Sequence, residues 1–177
     1  VPPPPCSEET GKRVAIVGGG PGGLTAAYFL RRLGHSVNVF DMMPKMGGML
    51  RYGIPEYRLP KKLLDREISQ IEALGVNLKN NVRLGRDIQL EELRHDFDAV
   101  VVAAGAWKSS SMRIPGEELN GVFGGIDFLR EVSLGNAPVI GKTVAVIGGG
   151  NTAMDACRTA VRLGAEKVYV IYRRTRN

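Results

Sequence analysis

The sequence predicts an α/β protein with parallel β-sheets, because one strand–turn–helix–strand pattern occurs twice along the chain. Each copy opens with a short β-branched strand, RVAIV at Arg13–Val17 and KTVAVI at Lys142–Ile147. Each strand leads into three consecutive glycines, a helical stretch that ends at Leu-Gly, and a second strand. Strands joined through a helix over about 30 residues lie parallel in one sheet.

The first copy and the segment after it set the order of elements. Behind the glycine turn, a helix is predicted over Leu24–Leu33 with Gly34 as its C-cap, followed by a strand at Ser36–Phe40. An irregular loop rich in Met, Gly and Pro occupies Met42–Pro60. The further predicted elements are a helix at Lys61–Leu74, strand segments within Val76–Leu84, a strand at Ala99–Ala104, a helix at Gly124–Val132 and the second copy from Lys142.

Composition argues against several classes of protein. The formal net charge of the 177 residues is +6, but the basic residues form no stripe with aromatics, so nucleic-acid binding is not expected. Cys6 and Cys157 are too few and too far apart for a disulfide framework or a zinc site, and no Cys-x-x-Cys dithiol occurs. No run approaches the ~18 apolar residues of a membrane span, and no signal peptide is visible. We therefore expect a cytoplasmic protein.

The first glycine turn has the spacing of a dinucleotide site, Gly18-x-Gly20-x-x-Gly23. In such a site the first glycine allows a tight turn, the second lets a pyrophosphate approach the backbone, and the third lets the helix pack on the strand. The pyrophosphate meets free N–H groups at the positive end of the helix dipole. Asp41 follows the second strand, where a carboxylate accepts both hydroxyls of an adenosine ribose. A glycine-rich surface turn would explain neither the flanking elements nor Asp41, so we predict a nucleotide site.

The second turn carries Gly148-x-Gly150, with alanine in the third glycine position, which is an accepted variant. At the end of the following strand, Arg173 and Arg174 stand where the first copy has its acid. A carboxylate repels a 2′-phosphate, whereas guanidinium groups bind one through charge-assisted hydrogen bonds. The alternative is a solvated basic strand end. The contrast with the first copy favours a site for NADPH over NADH.

Four segments together resemble one known family. They are GGGPGGLTAAYFLRRLGHSVNVFD, PKMGGMLRYGIPEYRLPKKLLDREI, AVVVAAGAW with IPGE, and VIGGGNTAMDACRTAVRLGA with YRRTR. The chain from Gly11 onward is similar to the small (β) subunit of NADPH-dependent glutamate synthase and its relatives. Those relatives include domains of dihydropyrimidine dehydrogenase and the large subunit of NADH-dependent ferredoxin:NADP oxidoreductase. The segment GGMLRYGIPEYRLP is the most specific, since generic two-domain flavoproteins do not carry it.

The resemblance implies FAD in the first site, NADPH in the second, and hydride transfer from the nicotinamide C4 to the flavin N5. Electrons would then leave through iron–sulfur clusters on a missing segment or a larger partner subunit. For FAD it implies Gly18, Gly20, Pro21, Gly22 and Gly23 at the pyrophosphate, Asp41 at the ribose, Gly47, Gly48 and Leu50 along the flavin, Leu84 near the adenine, and Ala104 and Gly105 over the cofactor. For NADPH it implies Gly148, Gly150, Asn151, Thr152, Arg173 and Arg174. Most members of the family have Glu where this chain has Asp41.

The implied fold class is α/β: an incomplete Rossmann-like FAD-binding domain, then the first βαβ unit of an inserted NADPH-binding Rossmann domain. The predicted domains are a proline-rich linker at 1–12, the FAD-binding part at 13–135 and the start of the NADP-binding domain at 136–177. Because family members continue past this point, we expect the chain by itself to be inactive, with weak NADPH binding and incomplete FAD retention. A non-catalytic nucleotide-binding module and another two-dinucleotide flavoprotein, such as a ferredoxin–NADP reductase, are the alternatives.

Overall fold

The computed structural model describes residues 4–174, which fold into two compact units. The first comprises the described residues up to Arg51 together with Leu59–Ala106. The second comprises Tyr52–Arg58 with the described residues from Trp107 onward. Parts of the predicted linker and of the predicted last domain, residues 1–3 and 175–177, lie outside the described residues. Along residues 4–174, no helix is both long enough and apolar enough to cross a bilayer.

The first unit is built on a sheet of four parallel strands, as the βαβ pattern predicts. The strands are β1 (Arg13–Val17), β2 (Ser36–Phe40), β3 (Asn77–Lys79) and β4 (Ala99–Val102). Their order across the sheet is β3-β2-β1-β4, so β1 lies between β2 and β4. The helices are α1 (Pro21–Arg32), α2 (Met49–Tyr52), α3 (Lys61–Ala73) and α4 (Leu90–Asp96). The predicted helices at Leu24–Leu33 and Lys61–Leu74 are confirmed; each ends one residue earlier than predicted, and α1 also starts three residues earlier, at Pro21.

Hydrophobic side chains cover both faces of β1. Because strand side chains alternate, Ile16 faces a cluster that includes residues of α1 and α3, whereas Ala15 and Val17 face a second cluster. In that second cluster Leu93 of α4 is fully buried beside Phe40. Burial on both faces explains why RVAIV is a continuous apolar run rather than an alternating one.

Two elements of the first unit differ from the sequence prediction. The strand expected within Val76–Leu84 is only three residues long, because the chain turns at Asn81, whose φ is +59°. Helix α4 was not predicted, since its N-cap is Gln89 rather than the usual Ser, Thr, Asp or Asn. Gln89 and Glu92 nevertheless form a capping box, in which the Glu92 side chain accepts from the Gln89 N–H at 3.0 Å.

The lead-in before β1 forms no helix or strand over its described residues, and it is hydrogen-bonded to the end of α1. The Ser7 N–H donates to the Arg32 carbonyl, and the Thr10 N–H donates to the Gly34 carbonyl, both at 2.9 Å. Arg31 forms an ion pair with Glu9 at 2.5 Å. Residues 7–10 are therefore attached to the first unit by backbone hydrogen bonds.

The second unit contains a smaller parallel sheet and two helices. Its elements are α5 (Gly125–Ser133), β5 (Thr143–Ile147), α6 (Asn151–Arg162) and β6 (Lys167–Ile171). Phe128 and Leu129 of α5 pack with Ala156 of α6, and Cys157 is buried in α6 as expected for a core residue. This contact groups α5 with the second βαβ unit, whereas the sequence prediction assigned α5 to the first domain. The boundary at 135/136 stays a prediction.

The loop before α5 is organised around one carboxylate. Glu117 accepts hydrogen bonds from the Met112 N–H at 2.7 Å, the Arg113 N–H at 2.9 Å and the Ser111 hydroxyl at 2.7 Å. The Met112 N–H, followed by the Ser111 hydroxyl, holds the pKa of Glu117 below its ordinary value of 4.5.

This loop should therefore lose order in acid. A carboxylate with a lowered folded-state pKa stabilises the fold above its unfolded pKa, and that contribution disappears as pH falls through the folded value. NMR pH titration of the Met112 and Arg113 amides should show one shared transition below the ordinary glutamate range. The Glu117→Gln protein should lack that transition. An unchanged titration in the variant would contradict the assignment.

Candidate functional site

The first glycine turn lies where β1 ends, between the carboxyl ends of β2 and β4. The Gly18 N–H donates to the Phe40 carbonyl at 2.8 Å. Gly18 has a φ of +111°, and a Cβ there would lie 2.2 Å from the carbonyl oxygen of Ala103. Only glycine fits this position, for reasons of both backbone conformation and space.

Helix α1 begins directly behind this turn. Gly20 is its N-cap and Pro21 its first residue, followed by Gly22 and Gly23. A Cβ on Gly23 would lie 1.8 Å from the Gly18 carbonyl oxygen, so the helix start packs on the turn itself. No side chain caps α1, and its first turn contains no acid. Its N–H groups and the positive end of its dipole are therefore available to an anion.

Asp41 lies beside the turn, where the sequence prediction needs it. The carboxylate is buried, and its Oδ2 accepts from the Gly19 N–H at 2.5 Å. Its Oδ1 accepts from the Met43 N–H at 2.8 Å. These two hydrogen bonds fix the orientation of the carboxylate next to the turn. Contact of Asp41 with a ribose stays a prediction.

A second pair of glycines presses against the first turn. The Gly47 N–H donates to the Gly19 carbonyl at 2.7 Å, and a Cβ on Gly48 would lie 2.6 Å from the Gly20 Cα. The family resemblance places these two glycines along the flavin, where a lack of side chains would let the loop lie against a flat ring. The structure adds another reason, which is the direct approach of two backbones.

Arg51, which the sequence analysis did not single out, holds the loop that carries this second pair. Its side chain is buried, its Nε donates to the Met46 carbonyl at 2.5 Å, and its guanidinium pairs with Asp65. Such a buried, paired arginine fixes the backbone of the loop.

The remaining residues assigned to the first site are Ala104, Gly105, Leu50 and Leu84, which belong to three different segments of the chain. The backbone of Ala104 follows Ala103 beside Gly18, and both Ala104 and Gly105 are exposed at the end of β4. Leu50 lies in α2, and its carbonyl accepts from Lys61 Nζ at 2.9 Å. Leu84 packs in the cluster of Val17, Phe40 and Leu93. Their contacts with a cofactor stay predictions.

The second turn repeats the backbone of the first. Gly148 has a φ of +133°, and its N–H donates to the Ile171 carbonyl at 2.9 Å. Gly150 is the N-cap of α6, with backbone angles within about 10° of those at the N-cap of α1. Asn151 and Thr152 form the exposed first turn of α6, which contains no acid and no side-chain cap. This turn also offers free N–H groups to an anion.

The end of β6 differs from the sequence interpretation in one position. In the strand register Val17 pairs with Phe40, and Ile147 pairs with Ile171. The residue equivalent to Asp41 is therefore Tyr172, and the exposed Arg173 and Arg174 come one and two positions later. Aligning VNVFD with VYVIY shows the same equivalence from the sequence.

The sequence analysis also missed a cluster of polar residues around Asp155 of α6. Asp155 is buried, and its Oδ2 accepts from Arg58 Nη1 at 2.6 Å. The Tyr57 hydroxyl donates to the Asp155 carbonyl at 3.3 Å, and the guanidinium of Arg162 lies 3.8 Å from the Tyr57 ring centroid. The partners are about a hundred residues apart in sequence, so no local pattern reveals the cluster.

Each of the two glycine turns follows a parallel strand and starts a helix, which is the arrangement of a Rossmann-like dinucleotide-binding fold. The family model for pyridine nucleotide-disulphide oxidoreductases matches residues 12–177, and the chain belongs to this family. Among solved structures, FprA, an oxidoreductase of Mycobacterium tuberculosis, aligns with a TM-score of 0.73 at 29% identity. That alignment covers 83% of this chain and 36% of FprA.

Several curated relatives are more similar in sequence. The chain is 49% identical over 170 residues to the NADP(+)-dependent formate dehydrogenase subunit beta of Moorella thermoacetica, covering 94% of this chain and 24% of the relative. It is 46% identical over 180 residues to the NADPH-Fe(3+) oxidoreductase subunit beta of Geobacter sulfurreducens, and this alignment covers 99% of this chain and 27% of the relative. It is 41% identical over 182 residues to the glutamate synthase [NADPH] small chain of Azospirillum brasilense, and this alignment covers 96% of this chain and 38% of the relative. The resemblance to the glutamate synthase small subunit is thereby confirmed, and the chain spans about a quarter to two fifths of these relatives.

Contact between the third glycine and the first turn should make Gly23→Ala strongly destabilising. The new methyl group would overlap the Gly18 carbonyl, and overpacking of this kind costs about 3 kcal/mol. Gly22→Ala is the matched control, because a Cβ there meets nothing closer than 4.0 Å. Equilibrium urea unfolding measures both free energies of unfolding, and equal stability of the two variants would contradict the packing argument.

The Arg58–Asp155 pair should show strong energetic coupling, because Asp155 is buried. A double-mutant cycle with Arg58→Met and Asp155→Asn should give a coupling energy of about 1–3 kcal/mol in urea unfolding. The control cycle is the exposed pair of Arg66 and Glu67, where no measurable coupling is expected. Equal coupling in the two cycles would show that burial of Asp155 does not strengthen the pair.

Proposed function

We propose that this protein is the cofactor-binding part of an NADPH-dependent flavin oxidoreductase of the glutamate synthase small-subunit type. FAD occupies the first glycine turn, and NADPH occupies the second. One observation carries the proposal. The two turns share their backbone geometry, but the first ends at a carboxylate and the second at an uncharged ring followed by two guanidinium groups.

The first site suits the unphosphorylated adenosine ribose of FAD. Asp41 is held beside the turn by the Gly19 and Met43 N–H groups, and its carboxylate has further acceptor capacity for a ribose hydroxyl. A 2′-phosphate at this place would meet a like charge. The carboxylate therefore selects a nucleotide with a free ribose.

The second site suits the 2′-phosphate of NADPH. Arg173 and Arg174 are both exposed after β6 and present guanidinium donors at the end of the strand. The names of the formate dehydrogenase, Fe(3+) oxidoreductase and glutamate synthase relatives all specify NADP(+) or NADPH. FprA has also been solved in complex with NADPH.

When bound, the two cofactors supply hydride transfer between a nicotinamide and a flavin. The chain itself positions them through backbone N–H groups and strand-end side chains. The relatives are named as subunits or small chains, which supports electron transfer onward to a larger subunit or an iron–sulfur domain. The proposal includes a cytoplasmic location.

The chain by itself should hold its cofactors weakly. Within residues 4–174, β5 pairs only with β6, whereas its counterpart β1 has a strand on both sides. Ile147 and Ile171 are each more than half exposed, although the equivalent Val17 and Phe40 are buried. The second turn therefore lacks the additional neighbouring strand that flanks the first turn. For this reason we expect a lower affinity for NADPH than for FAD.

A crossed pair of variants tests the proposal. FAD and 2′,5′-ADP are titrated separately by NMR into the wild type, an Asp41→Asn variant and an Arg173→Ala/Arg174→Ala variant. Asp41→Asn should weaken FAD binding about tenfold and leave 2′,5′-ADP unchanged, because it removes one charged acceptor. The Arg173→Ala/Arg174→Ala variant should weaken 2′,5′-ADP binding and leave FAD binding unchanged. Equal effects of both variants on both ligands would refute two distinct sites.

Catalysis is tested by anaerobic addition of NADPH to the FAD-loaded protein. Slow or absent loss of the oxidised-flavin absorbance is expected for this chain, because its second site is open. Full flavin retention with rapid bleaching by NADPH would contradict that expectation.

A further inference from the structure

We infer that Arg58 is a positioning residue of the second site and acts through Asp155, because its guanidinium cancels the charge of the one carboxylate carried by α6. This inference rests on the proposed function, in which the second glycine turn and the start of α6 bind the phosphates of NADPH. Arg58 belongs to the segment GGMLRYGIPEYRLP, whose last residues are not explained by the glycine motifs.

The helices behind the two glycine turns differ in their acidic residues. Helix α1 (PGGLTAAYFLRR) contains none, whereas α6 (NTAMDACRTAVR) contains Asp155. Counted from the N-cap, the equivalent residue of α1 is the exposed Thr25. Asp155 follows the N-cap of α6 by five residues, which is about 8 Å along the helix axis. An uncompensated carboxylate there would oppose the binding of an anion at the start of the same helix.

Arg58 supplies the countercharge for Asp155. Both residues belong to the second unit, and Arg58 Nη1 donates to Asp155 Oδ2 at 2.6 Å. The Asp155 side chain is 5% exposed and that of Arg58 is 38% exposed. The carboxylate therefore has little contact with water, and its charge is compensated mainly by the guanidinium. The pair as a whole presents no net charge to the start of α6.

Tyr57 holds the same segment to α6 independently of the ion pair. Its hydroxyl donates to the backbone carbonyl of Asp155 at 3.3 Å. The guanidinium groups of Arg158 and Arg162 lie 4.8 Å and 3.8 Å from its ring centroid, within the range of cation–π contacts. Replacement of Arg58 therefore removes a charge while these other contacts remain, so the effect of the charge can be separated from that of the attachment.

The two members of the pair should affect nucleotide binding in opposite directions. Arg58→Gln leaves the negative charge of Asp155 uncompensated, so it should weaken the binding of an anion. Asp155→Asn leaves the positive charge of Arg58, so it should strengthen that binding. A unit charge about 8 Å from a bound anion changes its affinity about two- to thirtyfold, depending on the effective dielectric constant. A contact with only a structural role would weaken binding in both variants.

The test is an NMR titration of the full chain with NADP(+) at low ionic strength, where salt screens the charges least. The proteins are the wild type, Arg58→Gln, Asp155→Asn and the variant that combines both changes. Arg66→Gln and Glu67→Gln make the same changes of charge in an exposed pair on α3 and are the matched controls. Shifts of the amides of Gly148–Met154 give each dissociation constant. Circular dichroism confirms that each variant is folded.

Arg58→Gln should raise the dissociation constant about fivefold, and Asp155→Asn should lower it about fivefold. The combined variant and both controls should stay within about twofold of the wild type. Should Arg58→Gln not fold, the direction of the Asp155→Asn effect decides.

Equal or weaker binding by Asp155→Asn, or a combined variant as weak as Arg58→Gln, overturns the inference and leaves the proposed function intact. A wild type in which saturating NADP(+) does not shift the amides of Gly148–Met154 overturns both.

Discussion

The close approach of backbone to backbone at the first glycine turn is the constraint on which the rest of the first unit depends. Gly18 is held by the Phe40 carbonyl and lies against Ala103, and Gly23 lies against Gly18 itself. Gly48 then packs on Gly20 from the other side. Backbone meets backbone where these segments cross, and the first turn of α1 has no acid and no side-chain cap, so its N–H groups remain available. We propose that these N–H groups form an anion site beside the Asp41 carboxylate.

The second unit shows which parts of this arrangement belong to the fold and which belong to the ligand. The positive φ of the first glycine, the N-cap geometry and the hydrogen bond from the turn to the strand end are the same in both units. The side chain that follows the second strand is different, a carboxylate in one unit and a phenol ring in the other. In the first unit the glycines are therefore required by the approach of the backbones, and we propose that ligand choice depends on the few residues after the strand.

Local sequence patterns predicted most of the architecture, because they act over a few residues. Burial of β1 on both faces makes RVAIV a continuous apolar run, and Gly34 and Gly75 have the positive φ values that end the preceding helices. Helix α4 escaped prediction because its capping box begins with glutamine. The positions of the glycine turns and of Asp41 could also be predicted from the sequence, because the spacing of the motif implies that they lie close together.

Contacts between residues that are far apart in sequence could not be predicted in this way. Nothing in the local sequence shows that Arg58 reaches Asp155, that Arg51 fixes the Gly47 loop, or that Gly48 touches Gly20. Tyr172 was overlooked for a different reason: the adjacent arginines gave a sufficient chemical explanation, although both the strand register and the alignment of VNVFD with VYVIY put Tyr172 in the place of Asp41. Register decides which residue faces the turn, and it is a property of paired strands rather than of one segment.

The central claim is that two similar turns hold two different nucleotides. Amide hydrogen exchange resolved to single residues tests it most directly, in the presence of FAD alone and of NADPH alone. FAD should protect the amides of Gly18–Leu24 and leave those of Gly148–Met154 unchanged, and NADPH should give the opposite pattern. Protection of the same turn by both nucleotides, or of neither turn by saturating ligand, would contradict it.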